Sequence, residues 1–100
     1  MTGFRLSERA FASLEAIGIY TEKQWGLAQR DKYLEALDGC FFDLARSPLL
    51  GRPRNEVKEG LHSFQGGKHV IFYLIGTGEI LIVDIVHERA DAVSHMENLN

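Results

Sequence analysis

The chain has one cysteine, Cys40, only two prolines, and no apolar run longer than the six residues Val70–Ile75. A lone cysteine excludes an internal disulfide framework and a four-cysteine zinc site. Six apolar residues fall far short of the roughly 20 needed to cross a bilayer as a helix. No basic-then-apolar leader opens the chain, which argues against export and for a soluble, cytoplasmic protein with no membrane association. An excess of positive charge is also missing, since 11 Lys+Arg face 14 Asp+Glu for a net charge of −3. A domain that grips nucleic acid unaided usually carries a basic footprint. The densest basic grouping here, Arg52, Arg54 and Lys58, is interleaved with Glu56 and Glu59. Phosphate-driven DNA or RNA binding by this chain alone is therefore not expected. Repeats, linkers and low-complexity tracts are absent too, and 100 residues with 45% hydrophobic content suit one domain spanning residues 1–100.

What is present divides into a helical first half and a strand-rich second half, the pattern of an α+β fold. Phe4–Leu6 reads as a short opening strand, after which Ser7 can cap a helix by satisfying a free first-turn amide. Phe11, Leu14, Ile17 and Thr21 follow helical spacing, and Glu8, Arg9, Glu15, Glu22 and Lys23 fall mostly elsewhere. Gly26 interrupts the pattern. A second helix from Leu27 to Arg46 turns Tyr33, Leu34, Leu37, Cys40, Phe41 and Leu44 inward, and Ser47-Pro48 stops it. Trp25 and the Phe41-Phe42 pair are expected in the core, although Phe42 can point outward. A polar connection follows, then strands over Leu61–Gln65, His69–Ile75 and Glu79–His87. Gly66-Gly67 suits a type I′ hairpin turn and Gly76-Thr77-Gly78 a second turn. Asp91–Leu99 adds a short terminal helix. The expected order is β-α-α-β-β-β-(α), a helical hairpin packed on a small antiparallel sheet.

In an antiparallel sheet with one wet face, apolar and polar residues alternate. Here both faces read as apolar. His69, Ile71, Tyr73 and Ile75 share one side of their strand and Val70, Phe72 and Leu74 the other. Strict alternation in the next strand sets Leu81, Val83 and Ile85 against Ile80, Ile82 and Val86. Two helices cover one face only, so the other is expected to receive a terminal segment or a partner.

Residues able to do chemistry are few. His62, His69, His87 and His95 form no H-x-x-x-H or H-E-x-x-H pattern, so no metal site and no cofactor are expected. His87-Glu88-Arg89 follows the last strand. There a histidine could shuttle the proton of an RNA 2′-hydroxyl while an arginine stabilises the phosphate. The blander reading is a strand exit with local ion pairing or partner contacts. Arg52-Pro53-Arg54 can contact phosphate or dock the connection onto carboxylates. Gly66-Gly67-Lys68 lies between strands, so it reads as a turn and not as a phosphate loop.

Five segments, YTEKQWG (Tyr20–Gly26), GRPRNEV (Gly51–Val57), GLHSF (Gly60–Phe64), HVIFY (His69–Tyr73) and IVDIVHERAD (Ile82–Asp91), occur in the order seen in ParE toxins of the RelE/ParE toxin–antitoxin superfamily. The chain resembles that family from about Phe4 to His95. The resemblance implies a cytoplasmic toxin neutralised by a co-encoded ParD-like antitoxin, which contributes a DNA-binding domain and a tail that wraps the toxin. It further implies action by poisoning DNA gyrase and not by catalysis. Arg54, Phe64, His69, Phe72, Tyr73 and Arg89 match family positions and carry over as structural or partner-contact residues. The sequence departs from the family pattern at His62, often arginine, at Gln65, often proline, and at Leu74 and Asp84, commonly basic. Two alternatives stand beside this reading. One is a RelE-like ribosome-dependent mRNA endonuclease using His87 and Arg89, with Lys68 or Arg54 holding phosphate. The other is an inactive relative kept for complex formation.

Overall fold

The computed structural model describes residues 3–90. Strand β1 (Gly3–Leu6) leads into helices α1 (Glu8–Trp25) and α2 (Leu27–Arg46), then strands β2 (Arg52–Pro53), β3 (Leu61–Gly66), β4 (His69–Ile75) and β5 (Glu79–His87). The sheet order is β1-β5-β4-β3-β2. The helical hairpin on a sheet expected from the sequence is what the chain forms, with two differences. The sheet is mixed and not wholly antiparallel, because β1 runs parallel to β5, with Phe4 opposite Ile80 and Leu6 opposite Ile82. Parallel neighbours need a long crossover, and the helices and intervening strands supply it. A triplet such as Phe4–Leu6 carries no sign of which strand it will join. The second difference is β2, a two-residue strand inside the expected loop, with Arg52 opposite Ser63. The expected terminal helix Asp91–Leu99 lies outside the described residues, as does His95.

Ser7 caps α1 as expected. Its Oγ accepts the Ala10 N–H at 2.9 Å and donates to the Val83 carbonyl at 2.7 Å, so the cap also ties the helix to β5. Gly26, at φ 93°, ends α1 with its N–H donating to the Glu22 carbonyl at 2.8 Å and lets α2 begin at once. The buried residues are Ala10, Ile17, Gly18 and Thr21 of α1 and Leu37, Phe41, Leu44 and Ala45 of α2. Two expectations for α1 fail here. Phe11 is 57% exposed and Trp25 is 70% exposed. The buried line runs through small Ala10 and Gly18, which let the helix approach its neighbours, and this rotates Phe11 out. Trp25 is the last residue of the helix and stands in solvent. Phe42 does point outward, although its ring meets Phe4 edge-on at 5.1 Å.

The β3–β4 turn is Gly67-Lys68, since Gly66 is the last residue of β3 and pairs with His69. Only Gly67 has positive φ, 59°. A type I′ turn needs positive φ at both central residues, so that expectation is corrected.

A bulge in β5 reorders its faces. Phe72 pairs with Asp84 and Tyr73 with Ile82, leaving Val83 as the extra residue. Alternation shifts phase there, so Ile80, Ile82 and Ile85 all join the core beneath the helices with Ile71 and Tyr73, and Val83 and Val86 join the opposite face. On that opposite face Leu61, Phe72 and Val86 are buried, Val57 from the connection packs against them, and Val70, Leu74 and Val83 are half-buried. This second face is apolar, as expected from the sequence, and its central side chains are shielded; the terminal segment expected to cover it lies outside the described residues. Among the described residues the large exposed hydrophobic side chains are mainly on the helices and just after them, including Ile19, Tyr20, Trp25, Leu27, Leu49 and Leu50.

Candidate functional site

Where α1 passes the β3–β4 turn and the end of β5, the chain leaves an open groove of about 810 Å3. Ala16 and Ile17 of α1 and Ile85 of β5 make its apolar base. Tyr20, Thr21 and Trp25 line it from α1, Gln29 and Tyr33 from α2, and Lys68, His69 and His87 at one end. Tyr20 and Trp25 sit off the buried line of α1, 63% and 70% exposed, so each presents a ring to a ligand at no structural loss. Ile19 and Leu27 add exposed apolar area on the same hairpin.

The polar end is a connected network. Tyr33 Oη lies 2.6 Å from His69 Nδ1 and accepts the Lys68 N–H at 2.9 Å. The His69 and His87 rings stand nearly perpendicular, 5.3 Å apart. His87 Nδ1 accepts the Arg89 N–H at 3.1 Å. Gln65 Nε2 donates to Glu88 Oε1 at 3.0 Å and to the Gly67 carbonyl at 2.9 Å, which steadies the turn. A Cβ on Gly67 would lie 2.8 Å from the Tyr33 ring, so the turn and α2 close only around glycine.

Burial pushes the His69 pKa below the ordinary histidine value; His87 adds to the shift and Glu88 opposes it. Burial also raises the Tyr33 hydroxyl, against the Lys68 amide that lowers it. The unfolded chain therefore takes up the His69 proton first as pH falls. The associated stability is complete above the unfolded value of 6.5 and is lost as pH drops from there through the lowered folded value. Thermal melts between pH 7.5 and 5 are expected to show a falling Tm below about pH 6.5, with a flatter profile in His69→Gln. Equal slopes in the two proteins would contradict this.

The candidate residues separate into three places. His69 and His87 line the groove, with exposed Arg89 two residues past His87. Arg54 lies in the connection, where Nε donates to Glu56 Oε2 at 2.8 Å and Nη1 to Ser63 Oγ at 3.3 Å. Phe64, Phe72 and Tyr73 belong to the interior: Phe64 is half-buried against the main core, and Phe72 and Tyr73 are fully buried. Tyr73 Oη accepts the Gly51 N–H at 3.0 Å and donates to the Pro48 carbonyl at 2.6 Å. The sequence reading missed Tyr20, Trp25 and Tyr33 as site residues. Its one available signal was two large aromatics off the buried stripe of a helix. Asp84 is no surface substitute for a base, because it is fully buried and bound by Arg9 and Ser13. Among the described residues no three His, Cys, Asp or Glu side chains come together as a metal site. No described helix is long and apolar enough to cross a membrane.

The architecture is two helices on one face of a five-stranded mixed sheet. It superposes on a solved chain titled "Chromosomal ParDE TA system from P. aeruginosa" with a TM-score of 0.75 and 18% identity, over 87% of this chain and 96% of that one. Toxin ParE1 of Caulobacter vibrioides is 32% identical over 96 residues, covering 96% of this chain and 99% of its own. Toxin ParE1 of Mycobacterium tuberculosis is 35% identical over 89 residues, covering 88% and 91%. Toxin ParE of Escherichia coli is 32% identical over 97 residues, covering 96% and 94%. The family model described as "ParE toxin of type II toxin-antitoxin system, parDE" matches residues 4–92. This chain belongs to the ParE toxin family.

Proposed function

We propose that this chain is a cytoplasmic toxin held inactive by a ParD-like antitoxin and, when released, inhibits DNA gyrase. The groove carries the antitoxin half of this reading. It is apolar, flanked by exposed aromatics, and long enough along α1 to take one face of an amphipathic helix, a recurrent mode of peptide recognition. Exposed Tyr and Trp side chains are the residue types that dominate binding energy at protein interfaces. The receiving surface is then the hairpin–sheet groove and not the far face of the sheet. The gyrase half rests on family membership and on the net charge of −3, which suits a protein target better than a phosphate backbone.

Induction of the toxin alone is expected to arrest growth, and purified toxin to block supercoiling by gyrase and leave cleaved DNA; co-expressed antitoxin should reverse both. Unimpaired supercoiling with growth arrest would remove gyrase from the reading. Tyr20→Ser with Trp25→Ser should weaken antitoxin binding by about 1,000-fold, from roughly 2 kcal/mol at each hot-spot side chain, without lowering Tm. Undiminished binding by that double variant would place the interface elsewhere.

A further inference from the structure

His69, His87 and Lys68, which line one end of the groove, can each offer a donor to a ligand. The Arg89 amide can only donate, so the proton of neutral His87 is on Nε2. With the Tyr33 O–H donating to His69 Nδ1, the acceptor 2.6 Å away, while its oxygen accepts the Lys68 amide, the proton of neutral His69 is likewise on Nε2. Two adjacent imidazoles that both line the groove thus each retain one N–H and no acceptor. The exposed Lys68 lines the same end and adds an ammonium. Glu88, the acid beside them, accepts from Gln65 through Oε1 and still acts on His69 as a negative charge, but it is not among the groove-lining residues.

We infer that His69, His87 and Lys68 form a carboxylate-binding subsite that seats one acidic side chain of the antitoxin's docking segment; this rests on the antitoxin reading above. Donors and a cation at one end of an otherwise apolar groove match a segment with an apolar face and an Asp or Glu at one end. Two observations favour a protein carboxylate over a nucleic-acid phosphate. The base and one wall of the groove are apolar side chains, and the basic grouping Arg52, Arg54 and Lys58 is not among the groove residues. Because Tyr33 and the Arg89 amide fix both rings through Nδ1, the two N–H donors are oriented before the ligand arrives. Little ordering is then left to oppose binding. The subsite supplies register: an apolar helix can slide along an apolar groove, but a carboxylate finds these donors at one position only.

The test is a double-mutant cycle on the toxin–antitoxin complex. The full-length co-encoded antitoxin is prepared with each Asp and Glu of its toxin-binding half changed singly to Asn or Gln. Each is titrated against wild-type toxin and against His87→Ala and Lys68→Met, with thermal melts to confirm that the toxin variants fold. One antitoxin substitution is expected to weaken binding to wild-type toxin about tenfold while changing binding to His87→Ala less than twofold, which corresponds to about 1 kcal/mol of coupling. His87→Asn, whose amide also donates, should restore part of the tenfold loss. Tight binding with no acidic position coupled to His87 or Lys68 would overturn the carboxylate subsite and leave the groove reading standing. No binding by unmodified antitoxin would overturn both.

Discussion

Asp84→Ala is expected to lower the melting temperature by roughly 10–20 °C, from a loss of about 3 kcal/mol when one member of a buried ion pair is removed. Asp84 is fully buried. Its Oδ2 accepts from Arg9 Nε at 3.0 Å, and its Oδ1 accepts from Ser13 Oγ at 2.6 Å and from the Ile85 N–H at 2.8 Å. One carboxylate therefore joins two successive turns of α1 to the bulge of β5, where the strand changes face. Alanine withdraws the acceptor from all three donors and opens a small void. Asn keeps an acceptor for Ser13 and Ile85 but turns an amide N–H toward Arg9, so Asp84→Asn should fall between alanine and wild type. Replacing the pair together, Asp84→Leu with Arg9→Met, should recover part of the loss, because a buried ion pair exchanged for apolar groups is often neutral. Melts followed by circular dichroism decide the matter; a drop under 3 °C for Asp84→Ala would show the pair contributes nothing beyond its own desolvation.

The hairpin, its caps and three main strands were legible because each rests on local chemistry: Ser7 before a helical stripe, glycine at Gly26, proline after Ser47, and glycine pairs between apolar runs. What was not legible is non-local. The parallel partner of β1 depends on a contact across more than 70 residues of chain, and no triplet encodes it. A bulge at Val83 shifts the phase of β5, so strict alternation set Ile85 and Val86 on each other's faces. The candidate site was legible only in part. His69 and His87 were singled out from their place at strand ends, and the groove does bring them together, 5.3 Å apart. Trp25 was absorbed into an expected core and Tyr20 was not singled out, since periodicity cannot tell an aromatic that flanks a buried stripe from one that belongs to it. Phe72 and Tyr73, matched by resemblance, proved to be fully buried.

Gly51→Ala should be as damaging as any single methyl added to this protein. The residue is buried, and its φ of −75° is open to any amino acid, so space and not backbone freedom demands glycine. A Cβ there would run into Tyr73 Oη and lie 2.9 Å from Tyr73 Cε1 and 2.7 Å from the Ser63 carbonyl oxygen. Neither neighbour can give way freely. Ser63 is a sheet residue between β2 and β4, and Tyr73 is fully buried with its hydroxyl bound to the Gly51 N–H and the Pro48 carbonyl. Relief requires either expelling the ring, which leaves those two backbone groups without their partner, or pulling residue 51 away from β3. Overpacking of about 1–3 kcal/mol together with a further ~1–3 kcal/mol for lost buried hydrogen bonds is a large share of the 5–15 kcal/mol typical of a domain. Tyr73→Phe isolates the second part and should cost about 1–3 kcal/mol. Combined with Gly51→Ala it should cost less than the sum of the two, because the clash with Tyr73 Oη goes with the hydroxyl while those with Ser63 and the Tyr73 ring stay. Denaturant unfolding of the four proteins measures this, and strict additivity would mean the Tyr73 hydroxyl is not what excludes a side chain at position 51.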